Sequence, residues 1–296
     1  MLPRNKGSCR NQPGIAPERA RQQEEATQMS SDATATSAKT VPQKRTFRLG
    51  SGIVHRSSPL VRRAILAFGR SIGWIFFSLR VEGAANLPKR PEPLIVISNH
   101  FGWFDAFILT LYLPFQPVFL VATESQRKWY VRFFMNLFDG IPIWRGQVDR
   151  EAFRSANKVL EEGRPLGVFP EGGINPDLAE RAAKGEQIVT QTGPTSRVGG
   201  SLTRAKPGTA LLATMSQKRI LPIALLGSDR IGSNLRHLRR TVVTMRIGPI
   251  FGPLSVENGL SGPKRRARID ELSDDMMREI ARLFPPERRG PYTDGI

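Results

Sequence analysis

The chain has 296 residues, with 44 Lys and Arg against 26 Asp and Glu and a formal charge of +18 at neutral pH. Its one cysteine, Cys9, excludes an intramolecular disulfide and a cysteine-based zinc site, and it suits a reducing compartment. So large a positive excess calls for an acidic partner, and nucleic acid and an anionic membrane surface are the two usual ones.

The apolar content of 40% is enough for a real core but is unevenly spread. Residues 1–58 are rich in Arg, Lys, Gln, Ser, Thr, Ala and Pro and carry almost no apolar run, the composition of a disordered basic tail. The tail lacks the apolar centre of a secretory signal, so export is not expected. Organised chain is expected from residue 59 to about 290.

Residues 59–80 are predicted to form an amphipathic helix. At about 100° per residue, Arg62, Arg63, Arg70 and Arg80 share one arc. Val61, Ala64, Ile65, Phe68, Ile72, Ile75, Phe76 and Leu79 lie opposite, while Leu66, Trp74 and Phe77 break the pattern. Arg70 interrupts a run already too short to span a bilayer. Such a helix fits either a membrane interface or the protein's own core.

A turn-rich stretch with Gly83, Pro88, Pro91 and Pro93 leads to the first clear core strand, residues 94–98. Asn99, His100, Gly102 and Asp105 follow, then a helix that ends before Pro114. Residues 117–122 read as a strand, and 125–138 as a helix with the aromatic stripe Trp129, Tyr130, Phe133, Phe134 and Phe138. A short strand ends at Trp144-Arg145, and Asp149 caps the next helix, which Gly163 closes. Residues 166–169 are another buried strand, with Pro170-Glu171-Gly172-Gly173 as its exit turn. Residues 174–205 lose the hydrophobic pattern and read as a polar insertion loop, either lid or decoration. A helix from Lys206-Pro207-Gly208, strands at 221–226 and 241–250, a basic loop at 228–240 and a final helix striped by Ile269, Leu272, Met276, Ile280 and Phe284 complete the chain. Alternating strands and helices of these lengths predict an α/β fold, a mixed and largely parallel sheet flanked by helices. In such sheets the site lies beyond the carboxyl ends of the strands, where His100, Arg145 and Glu171 each fall.

Of the three histidines, His100 alone stands at a strand end with a carboxylate nearby. His100 and Asp105 are about 140° apart on an ideal helix and cannot share a helix face. If they act together, His100 belongs to the turn and Asp105 to the first helical turn. No second His or Cys lies near enough to suggest a metal. Neither a G-x-S-x-G elbow nor a Walker or G-x-G-x-x-G loop occurs.

Asn99-His100 followed by Asp105 resembles the first motif of the glycerolipid acyltransferases, the group containing the lysophosphatidic acid acyltransferases. Gly140-Ile141-Pro142-Ile143-Trp144-Arg145, Phe169-Pro170-Glu171-Gly172 and Leu221-Pro222-Ile223-Ala224 are similar to their second, third and fourth motifs, in order. The resemblance covers roughly residues 60–250. It implies transfer of a fatty acyl group from acyl-CoA or acyl-carrier protein to a lysophospholipid hydroxyl, most simply 1-acylglycerol-3-phosphate, in phospholipid biosynthesis. His100 would be the general base and Asp105 its orienting acid. Asn99, Arg145, Glu171 and Gly172 would bind substrate, with Arg145 gripping the phosphate. The acyl donor is a co-substrate; no cofactor or metal is implied. The protein would be a peripheral one on the cytoplasmic face of an anionic membrane, with no nucleic-acid partner. The family's third motif commonly continues Thr-Arg-Ser, whereas Gly173-Ile174-Asn175 stands here, and the family's basic residue after the second strand is absent near Ala122-Thr123-Glu124. Another lysolipid acceptor therefore stays open, as does a non-enzymatic basic module binding membrane or nucleic acid.

Overall fold

The computed structural model describes residues 53–90, 92–144, 149–173 and 200–294. Most of the expected tail, Arg145 and residues 174–199 of the expected insertion lie outside the described residues.

Among the described residues, organised structure starts earlier than expected, with a single helical turn, α1, at Ile53–Arg56. Val54 is the reason: it is buried in a small cluster with Leu66, Leu111 and Phe138. The long helix α2 spans Pro59–Phe76, opened by the Ser58 side chain accepting the Val61 N–H and by Pro59 in its first turn. It stops four residues short of the expected end. Phe77–Glu82 is instead strand β1, in parallel register with Thr241–Ile247, here β7. Phe77, which does not fit the helical pattern, is almost fully buried as the first residue of that strand.

The remaining strands are β2 (Leu94–Ser98), β3 (Val118–Ala122), β4 (Ile141–Ile143), β5 (Leu166–Val168) and β6 (Arg219–Leu226). The sheet runs β1-β7-β6-β2-β5-β3-β4, and β6 through β4 are mutually parallel. β7 pairs antiparallel with β6, so the sheet is mixed and mostly parallel. Pro222 is tolerated inside β6 because the β7 ladder ends at Ile247; beyond it the Pro222 carbonyl takes the Gly248 N–H.

Every residue of β2 is buried, as a strand covered on both faces must be. Ile95 and Ile97 face a layer built from α5 (Arg150–Glu161), α6 (Pro207–Ser216) and α8 (Gly262–Ala281). Leu94 and Val96 face Ile108 and Leu109 of α3 (Phe104–Tyr112). α2 packs outside α3, where the Arg70 Nε donates to the Leu111 carbonyl at 2.7 Å. Helix α4 (Trp129–Phe138) follows a 3-10 turn; of its aromatic stripe only Phe138 is buried, with Val131 beside it, while Trp129 and Phe133 face outward. The expected basic loop contains a 3-10 turn and a short helix α7 (Ile231–Arg236).

Candidate active site

The carboxyl end of β2 is fastened before the chain turns. Asn99 is fully buried; its Nδ2 donates to the Leu225 carbonyl at 3.0 Å and its Oδ1 accepts the Leu225 N–H at 2.7 Å. The amide thus extends the β2–β6 ladder one rung past the strand, because a buried backbone N–H and C=O must be paired by something. The next backbone N–H, of His100, donates to Oε1 of Glu171 at 3.1 Å.

The turn itself is organised by Asp105, which lies in the first turn of α3 as the spacing predicts. Its Oδ2 accepts the N–H of Phe101 at 2.6 Å and of Gly102 at 2.7 Å, and meets Nδ1 of His100 at 3.1 Å. Asp105 is fully buried and His100 keeps 13% of its side chain exposed. A carboxylate only accepts, so the proton of a neutral imidazole is assigned to Nδ1, which leaves the Nε2 lone pair free to act. The ring is also held in plane, stacked on Phe169 with centroids 4.0 Å apart and an interplanar angle of 10°. Phe169 in turn stacks on Phe119 at 5.3 Å.

Glu171 sits at the exit of β5, the strand beside β2. Its side chain is buried, with Oε2 accepting both the N–H of Thr203 at 3.1 Å and its hydroxyl at 2.7 Å. Gly172 adopts φ +78°, a left-handed conformation that favours glycine, and its N–H closes the turn onto the Phe169 carbonyl at 3.0 Å. Asp149 caps α5 through Ala152 and also accepts the N–H of Trp144, tying the exit of β4 to that helix.

The structure therefore brings His100, Asp105, Asn99, Glu171 and Gly172 together at the carboxyl ends of the central strands β2 and β5. Two of them are placed differently from the expectation. Asn99 and Glu171 were expected to touch substrate, yet both are buried and their oxygens are bonded inside the protein. The reason is that strand ends leave backbone donors which need buried acceptors. Two contributors are not visible in the sequence pattern. Phe169 stands in the third motif without any sign of the ring it stacks on, and Thr203 lies where periodicity fails. Among the described residues no group of His, Cys, Asp and Glu is arranged to hold a metal ion.

The chain belongs to the acyltransferase family: the family model described as Acyltransferase matches residues 78–226, from β1 to the end of β6. It is similar to the 1-acyl-sn-glycerol-3-phosphate acyltransferase of Bacillus subtilis (strain 168), 28% identical over 96 residues that cover 32% of this chain and 47% of the relative. The enzyme of the same name from Borreliella burgdorferi is 28% identical over 153 residues, 50% of this chain and 51% of the relative. The chloroplastic enzyme of Arabidopsis thaliana is 24% identical over 161 residues, 53% of this chain and 38% of that protein. The chain spans about half the length, or less, of the curated relatives it matches. Among solved structures, the 1-acyl-sn-glycerophosphate (LPA) acyltransferase PlsC of Thermotoga maritima aligns with a TM-score of 0.47 at 21% identity, covering 73% of this chain and 78% of that one.

Proposed function

We propose that this protein transfers a fatty acyl group from acyl-CoA or acyl-carrier protein to the free hydroxyl of 1-acylglycerol-3-phosphate. The observation that carries the reading is the His100 ring, fixed at Nδ1 by Asp105 and in plane by Phe169, with Nε2 making no hydrogen bond among the described residues. Nε2 takes the proton of the acceptor hydroxyl as its oxygen attacks the thioester carbonyl. The thiolate leaves, and the imidazolium returns the proton to it. The buried Asp105 carboxylate stabilises the imidazolium while it exists. No covalent enzyme intermediate is needed, because the substrate supplies the nucleophile. The names of the similar proteins support the glycerophosphate acceptor. Arg145, the residue expected to hold its phosphate, lies outside the described residues.

The same reading places the protein on an anionic membrane surface. No described helix is long and apolar enough to cross a membrane. Helix α2 is apolar on two sides. Ile65, Leu66, Ile72 and Phe76 turn inward, whereas Leu60, Val61, Phe68, Trp74 and Ile75 are half to three-quarters exposed. That outward arc, with Arg63 and Arg70 along one margin, has the composition of an interfacial helix. Trp129 and Phe133 of α4 extend the exposed apolar surface.

The test is mass spectrometry of the lipids formed when purified protein meets mixed acyl donors and a panel of lysolipids. Phosphatidic acid is the expected product, and His100→Ala should form it at least about 10²-fold more slowly. Undiminished turnover by His100→Ala would remove the histidine from the mechanism. A product only from another lysolipid would move the acceptor, as the Gly173-Ile174-Asn175 departure allows.

A further inference from the structure

The turn that joins α7 to β7 presents an apolar side chain to solvent at a conformational cost. Leu238 is 94% exposed and adopts φ +53°, the left-handed region that residues with a Cβ avoid. The turn is built to hold it there. The N–H groups of His237 and Arg239 both donate to the Asn234 carbonyl, and that of Leu238 donates to the Leu235 carbonyl. The Asn234 side chain donates to the Thr241 hydroxyl at 2.9 Å, closing the base of the turn. Arg236, Arg239 and Arg240 flank the leucine along the chain and are exposed.

The position of this turn matters. Ile223 of β6 pairs with Ser98 on one side and Ile247 on the other, which sets Ile247 level with the end of β2. β7 runs antiparallel to β6, so Thr241, six residues before Ile247, stands about 20 Å further along on the side to which His100 emerges. Phe77 pairs with Thr241, so the carboxyl end of α2 reaches the same height. The two elements touch. The Arg240 guanidinium lies 4.3 Å from the Trp74 ring centre and also donates to the Phe77 carbonyl. The turn that carries Leu238 and the outward Trp74 and Ile75 at the end of α2 therefore lie at the same end of the sheet, on the side to which His100 emerges.

We propose that residues 236–240 form a second lipid-contact site, in which Leu238 enters the interface of an anionic bilayer while Arg236, Arg239 and Arg240 meet its phosphates. Charge complementarity and the exposed leucine select this partner. A turn made for nucleic acid would offer the arginines without an unpaired aliphatic tip. With α2, the turn gives two fixed points that direct the His100 end of the sheet toward the lipid surface, where a lysolipid acceptor resides. The inference takes lipid as the partner from the reading of α2 given above.

The test is co-sedimentation of the full chain with vesicles of equal parts phosphatidylcholine and phosphatidylglycerol, and with phosphatidylcholine alone. Leu238→Asn suits the left-handed turn and removes the apolar tip. It should keep or raise the melting temperature, leave turnover of a water-soluble short-chain acceptor unchanged, and weaken partition into the anionic vesicles about 10-fold. Arg239→Glu should weaken it further at low salt. Wild-type partition in both variants, with loss in Phe68→Asp, would overturn the turn as a contact while leaving α2 in place. Wild-type partition in all three, or no binding of the wild-type protein, would overturn the lipid-surface reading itself. Loss of duplex DNA binding in Arg239→Glu with vesicle binding intact would assign the turn to nucleic acid and refute the proposal.

Discussion

Oδ2 of Asp105 holds two backbone N–H groups and the imidazole at once, so a single oxygen fixes both the turn and the His100 ring. Oδ1 has no hydrogen-bond partner among the described residues. The two functions separate under substitution. In Asp105→Asn the amide oxygen can keep both backbone bonds, and the amide nitrogen takes the unpartnered side, a buried loss of about 1–3 kcal/mol. The negative charge facing the imidazolium disappears. The expected outcome is a fall in kcat of roughly 10²–10⁴-fold with a folded protein, measured by steady-state kinetics beside thermal melting. Asp105→Ala removes all three bonds and should lower stability further for a similar loss of rate. Equal kcat in wild type and Asp105→Asn would reduce Asp105 to a turn former. The pairing of His100 with Asp105 was suggested by the resemblance of Asn99-His100 and Asp105 to a family motif, and the five-residue spacing added that two such residues, if they meet, need His100 on the turn. The stacking of Phe169 was not legible in the sequence, since nothing in an aromatic at a strand end says which ring it will meet.

At the scale of elements, the short strand β5 carries more of the site than its three residues suggest. A Cβ on Gly167 would lie 2.3 Å from Cε1 and 2.5 Å from Cζ of Phe119, a buried ring with no room to retreat. Phe119 stacks on Phe169, and Phe169 on His100, so the glycine sets the height of a three-ring column that ends at His100. Gly167→Ala should lower stability by about 1–3 kcal/mol through overpacking, a fall in Tm of roughly 2–12 °C, and should lower kcat as the column shifts. Adding Phe119→Leu should restore part of both, a coupling that a double-mutant cycle reads directly. Additive losses would show that the rings do not act as a column. The strands themselves were readable from their β-branched runs and punctuation. β1 was not, because Leu79 and Arg80 fit the helical pattern of the preceding residues, and Phe77–Glu82 becomes strand only through pairing with β7, more than 160 residues away.

For the whole molecule, the decisive long-range feature is how the chain returns after residue 199 and what lies over it. Sequence periodicity fails across 174–205, so nothing there foretold that residues 200–206 form a structured bridge. Thr203 bonds Glu171, the Leu202 N–H donates to the Arg288 carbonyl, and Arg288 donates through Nε to the Gly200 carbonyl. Phe284 packs edge-on against Phe101, next to His100, with ring centres 5.7 Å apart. Phe284 and Arg288 thus brace the turn that carries His100 and the bridge beside it. Tyr292 is a further buried tie; its oxygen accepts the Ala205 N–H at 3.0 Å and its hydroxyl donates to Asp274 at 2.8 Å. Burial first, and then the bond to Asp274, push the phenol well above its ordinary value. The folded protein therefore keeps a proton that the unfolded chain releases near pH 10. This contribution to stability is fully present below about pH 10 and is lost as pH rises toward the folded value, at up to about 1.4 kcal/mol per pH unit. Tyr292→Phe leaves the Ala205 N–H and Asp274 without this partner and should cost about 1–3 kcal/mol at pH 8. It should also flatten the alkaline decline of stability by about one proton. Denaturant unfolding of both proteins from pH 8 to pH 11 measures both effects, and parallel curves would show that Tyr292 does not carry the proton.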